Sequence, residues 1–143
     1  MSSKKENVGY VGEEQLLKNI DWVDDWKVII PYASDGKCGN DIRVLAIPIV
    51  AEPNSACSET YLVVRRFDNQ NEAINLSKYI VTKFFRFMVS VVKKTQHGTK
   101  EVYRFVPDLD TTKVWTDEKL YTQYELTQKE INFIEKRIKK IEQ

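Results

Sequence analysis

Histidine and cysteine are scarce in this chain of 143 residues, which has one of the first and two of the second. No histidine pair can be assembled, and Cys38 and Cys57 sit in polar stretches without a neighbour at metal-ligand spacing. Both cysteines are expected as free thiols in a reducing cytoplasm. His97 reads as a surface residue after a helix, although spacing alone leaves Ser90 or Cys57 open as a nucleophile beside it. Long apolar runs are also missing. Val44–Ala51 and Phe84–Val92 are the longest, interrupted by Pro48 and Arg86, and both fall short of the roughly 20 residues a membrane span needs. The charged start Met1–Asn7 has no apolar stretch after it, so no secretory signal is expected. Glycine is sparse, and Gly36, Gly39 and Gly98 form neither a nucleotide loop nor a P-loop.

What is present suits a soluble globular domain: 42% hydrophobic, 30% charged and 11% aromatic residues. The net charge of +1 conceals an uneven distribution. Lys83, Arg86, Lys93, Lys94, Lys100 and Arg104 stand against Glu101 alone in residues 83–104. Residues 12–25 have the opposite bias, with Glu13, Glu14, Asp21, Asp24 and Asp25 against Lys18. A local basic patch on a near-neutral protein can hold a phosphate backbone at one surface; a solvated helix face is the alternative reading.

The pattern predicts an α+β fold, a twisted mixed β-sheet packed against one long helix, with further helices at the C-terminal end. Residues 1–8 read as a tail and 9–143 as a single domain. Short helical turns are expected at Gly12–Lys18 and Asp21–Trp26, with Trp22 and Trp26 in the core. Lys27–Tyr32 reads as a strand entering the turn-rich loop 33–40. Leu45–Val50 reads as an edge or bent strand because Pro48 lacks a donor, and Glu59–Phe67 as a strand covered on both faces. Asn69 and Glu72 have capping-box spacing. Ala73, Leu76, Ile80, Phe84, Phe87, Met88 and Val91 then continue at helical steps, predicting one helix to about Gln96. Glu101–Val106 reads as a strand, Thr116 as the start of a short helix, and Thr127–Glu130 as a capping box before a helix with Ile131, Ile134, Ile138 and Ile141 on one stripe.

Pro107-Asp108 followed by Asp117-Glu118-Lys119 imitates a metal-dependent nuclease pattern, in which carboxylates share a divalent ion and the lysine polarises water. Acids just after Thr116 are equally what a helix N-terminus favours. There is no Asn/Asp-Pro-Pro-aromatic segment of the kind that holds a flipped adenine; Glu52-Pro53-Asn54 has similar letters in another order.

From Ser58–Val64, through Tyr79–Gln96, Tyr103–Asp110 and Trp115–Tyr121, to Leu126-Thr127 and Glu130–Glu135, the order of motifs resembles a known family. It is similar to the C-terminal target-recognition part of Type II restriction-modification enzymes, in which an adenine-N6 methyltransferase, often fused to an endonuclease, ends in a specificity domain. The likeness covers about residues 9–141 and includes Trp26-Lys27-Val28 and Ala51–Asn54. It implies a fold related to the recognition domains of Type I specificity subunits, whose loops enter a DNA groove and whose helices dock on the rest of the enzyme. It also implies that the catalytic half, with S-adenosylmethionine and magnesium, lies elsewhere in a parent polypeptide. These residues would need no cofactor of their own.

The expected function is therefore sequence-specific reading of double-stranded DNA, with no catalytic or metal residue in the chain. The candidate DNA-binding residues are Lys37 and Arg43, flanking the glycine-bearing loop, and Lys93, Lys94, Gln96 and Lys100 at the end of the long helix. Lysines there can contact phosphate, and Gln96 has the groups to read an adenine edge. The expected partners are duplex DNA and the catalytic portion of the parent. Two rivals remain: a protein-interaction module using the apolar helical stripe, and a small nuclease using Asp108, Asp117 and Lys119.

Overall fold

A computed structural model describes residues 8–32, 44–92 and 100–141. Three antiparallel strands form the sheet: β1 (Trp26–Pro31), β2 (Ile49–Ala51) and β3 (Tyr61–Phe67), in the order β2-β1-β3. The α+β class holds, but the described sheet is wholly antiparallel and not mixed. Strand β1 lies in the middle, and its four central residues Lys27, Val28, Ile29 and Ile30 are all buried. Alternation sends Val28 and Ile30 to one face, where they join the main core, and Lys27 and Ile29 to the other. The Lys27 ammonium donates to the carbonyls of Trp22 (3.0 Å), Val23 (3.1 Å) and Asp25 (2.7 Å), tying the turn at Ile20–Trp22 to the sheet. Burial lowers the pKa of this lysine, with Asp25 acting against the shift.

The strand expected to be covered on both faces, β3, is instead a half-buried edge, because β1 occupies the centre. Its register against β1 jumps between Val28↔Arg65 and Ile29↔Val63, leaving Val64 as an extra residue in a bulge. Strand β2 begins just after Pro48, on the opposite edge, where a missing backbone donor costs no ladder bond. Residues 8–20 bury no side chain, and their expected helix is reduced to a single 3-10 turn at Glu13–Gln15. Trp22 and Trp26 are half-buried, and Trp26 packs at the margin of the core.

The single long helix predicted from periodicity is two helices, α1 (Gln70–Ile80) and α2 (Lys83–Val92). Asn69 caps α1 by accepting from the Glu72 amide at 3.0 Å, while its own side-chain amide donates to Glu72 Oε1 at 2.8 Å. The break at Val81-Thr82 has an identifiable cause. Thr82 donates its hydroxyl to the Tyr79 carbonyl at 2.7 Å and accepts the Phe85 amide at 3.2 Å, acting as the N-cap of α2. The Lys83 and Phe84 amides turn to a distant carboxylate, Asp117, at 3.1 and 2.9 Å. Every amide of the new first turn therefore has an acceptor without the helix running through.

Two shorter helices follow, α3 (Asp117–Gln123) and α4 (Gln128–Arg137). Thr116 caps α3, and Thr127 and Glu130 form the capping box expected of α4. Leu120, Tyr121, Ile134 and Ile138 carry these helices into the core formed by Leu76, Ile80, Phe84, Phe85 and Val89. The expected strand at Glu101–Val106 is not formed. Lys100–Tyr103 makes a 3-10 turn, and the amides of Arg104 and Val106 bond to Glu101 and Tyr103 instead of a neighbouring strand. Local i to i−3 closure before Pro107 removes the donors a ladder needs.

Candidate nucleic-acid interface

The described cations of the basic stretch 83–104 do not form one surface. Lys83 pairs through its ammonium with Glu135, whose carboxylate also accepts the Tyr121 hydroxyl at 2.8 Å. Burial opposes the shift, yet hydrogen bonds from Lys83 and Tyr121 hold Glu135 below the usual carboxylate range. Arg86 points inward and is 1% exposed. Neither cation is exposed as Lys100 is.

Lys100 and Arg104 are the outward pair. Lys100 is exposed at the start of the 3-10 turn, and Val102 on the same turn is buried, fixing the turn against α2. Tyr103 extends that contact to Phe85, with ring centroids 6.2 Å apart, and burial pushes its hydroxyl up to about 12. The chain then turns outward. Arg104 lays its guanidinium over the Phe105 ring, 4.9 Å from the centroid, and Phe105 is 49% exposed. An arginine stacked on an exposed ring presents charge and a flat apolar face together, a combination that suits phosphate and base contacts. The one acid on the turn is Glu101, also exposed.

Of the six residues predicted to contact DNA, Lys37, Arg43, Lys93, Lys94 and Gln96 lie outside the described residues, and so does His97. Lys100 is described and exposed. Arg104 and Phe105 were not predicted as contacts, although a basic residue followed by an aromatic beside a cationic run is a readable signal. The expectation of a strand there concealed it, since alternation assigns Phe105 inward with Tyr103.

The two arginines of β3 are neutralised locally. Arg65 pairs with Asp108 at 2.7 Å; Arg66 pairs with Asp25 at 2.9 Å and sits over the Trp22 ring at 4.8 Å. Asp108 is thus engaged with the sheet, both Asp117 oxygens accept amides of α2, and the Lys119 ammonium donates to the Val114 carbonyl at 2.9 Å. The residues of the nuclease-like pattern have separate structural partners. Among the described residues no three His, Cys, Asp or Glu side chains converge to hold a metal ion, and no helix is long and apolar enough to cross a membrane. Cys57 is a free, exposed thiol.

Comparison of the chain with protein-family models, with curated proteins and with solved structures gives no match.

Proposed function

We propose that this chain is a DNA-reading module of a restriction-modification enzyme, selecting the site at which a catalytic portion elsewhere in the parent methylates adenine or cuts. The observation that carries the reading is the outward pair Lys100 and Arg104, the latter stacked on exposed Phe105, on a turn held against α2 by buried Val102. Cations supply sequence-independent affinity through counterion release, and planar groups supply contacts to bases. Residues 8–20 support the second half of the reading. Tyr10 is fully exposed and Leu17 94% exposed, with Val8, Val11 and Ile20 exposed beside them, an apolar strip suited to docking on the catalytic portion.

The same strip favours the rival protein-interaction module, and salt separates the two. A fluorescently labelled duplex titrated at several salt concentrations will bind with a steep negative dependence of log affinity on log salt if cations grip phosphates. Absence of duplex binding at low salt would overturn the reading.

A further inference from the structure

Arg86 interrupts an otherwise apolar run, and α2 places it inside the protein. Its Nε donates to the carbonyls of Val81 at 3.2 Å and Thr82 at 3.3 Å. Both terminal nitrogens, Nη1 and Nη2, are buried with no hydrogen-bond partner. A guanidinium has five N–H donors and does not deprotonate in proteins, so four donors on a fixed charge are left without an acceptor. Burying a charge in that state is strongly unfavourable, whereas a methionine would fill similar space without the penalty. The charge of Asp117 acts on Arg86, but its two oxygens are on the Lys83 and Phe84 amides.

Arg86 also lines an open cavity of about 680 Å³ between the α1–α2 junction, the segment Val114–Glu118, and Lys140 and Ile141. Lys78, Lys83, Arg86 and Lys140 face Asp117 and Glu118 around it, four cations against two acids. Lys83 has a partner in Glu135, but Lys78 and Lys140 form no ion pair among the described residues.

We propose that this cavity is a binding site for a phosphate-type oxyanion, gripped by the Nη groups of Arg86 and flanked by Lys78 and Lys140. A tetrahedral dianion suits donors arriving from several directions better than a carboxylate, which presents two oxygens in one plane. No residue of the 100–105 turn lines the cavity, so the proposal does not rest on the DNA reading.

The test is thermal unfolding of the full chain in inorganic phosphate, with sodium chloride at matched ionic strength as control. Selective binding to the folded state raises the midpoint saturably with phosphate and not with chloride. Two variants locate the site. Arg86→Met should weaken phosphate binding by about tenfold or more, the loss expected for a charge-assisted fork. Lys78→Gln/Lys140→Gln alters only flanking lysines, should fold as the parent does, and should weaken phosphate binding by a factor of about 3 to 10. If Arg86→Met does not fold, the double variant decides alone. Equal effects of phosphate and chloride, or an unchanged phosphate response in the double variant, would overturn the site. Competition with a labelled duplex identifies the source of the group: displacement at phosphate levels that fill the cavity assigns it to a DNA backbone, and coexistence assigns it to a free ion.

Discussion

Replacing Asp117 with alanine should unfasten α2 without touching its apolar face. The carboxylate accepts the Lys83 and Phe84 amides at 3.1 and 2.9 Å, from a half-buried position, so its removal orphans two donors at once. An unsatisfied buried donor costs about 1–3 kcal/mol, and partial access of water places these two near the lower end, giving about 2–4 kcal/mol together. Helix α3 should survive, because its cap is the Thr116 hydroxyl, which accepts from the Lys119 amide, and not Asp117. Urea unfolding followed by far-ultraviolet circular dichroism reads the effect. With a slope of about 2 kcal/mol per molar urea for a domain of this size, the midpoint should fall by about 1–2 M. Glu118→Ala, at the exposed neighbouring position, serves as the control and should stay within about 0.5 kcal/mol. A loss below about 0.5 kcal/mol for Asp117→Ala would mean that α2 does not depend on this carboxylate, and the explanation of the helix break would be wrong.

Arg104→Ala should weaken duplex binding to a similar degree for all sequences and reduce the salt slope by about 1, as loss of one phosphate contact requires; fluorescence anisotropy over a salt series checks it, and an unchanged slope counts against the contact. Glu125 holds a left-handed backbone with φ of 51° just after α3. Glu125→Gly should therefore stabilise the fold by about 0.5–1 kcal/mol, seen as a rise of a few degrees in the thermal midpoint, whereas a fall would show that the glutamate side chain matters more than the strain. Hydrogen bonds from the Thr127 amide and hydroxyl hold the Glu130 carboxyl below its usual value of 4.5. A folded value below the unfolded one means that its contribution is present above about 4.5 and lost as pH falls through the folded value. Glu130→Gln should consequently flatten the acid side of the stability profile; equal steepness in both proteins would rule out this linkage.

The parts of this fold that were legible in the sequence are those specified by local chemistry. Asn69 with Glu72, Thr116, and Thr127 with Glu130 mark helix starts because their side chains bond amides three residues away. Pro48 forecast an edge strand for a similarly local reason. The misses required contacts distant in sequence. Periodicity runs unbroken through Val81-Thr82, and only the arrival of Asp117, more than 30 residues away, makes two helices cheaper than one. Likewise, no local signal states that β1 and not β3 is central, since both are rich in β-formers. At the candidate interface, charge density alone treated residues 83–104 as one patch. The fold separates the described cations, sending Arg86 inward, Lys83 to Glu135, and Lys100 and Arg104 outward.

Sequence reading is tested most directly by incubating the chain with a random pool of duplexes and sequencing what it retains. A recognition module will enrich one short motif containing an adenine, with neighbouring positions tolerant of change. Recovery of a pool no different in sequence from the input would contradict the account.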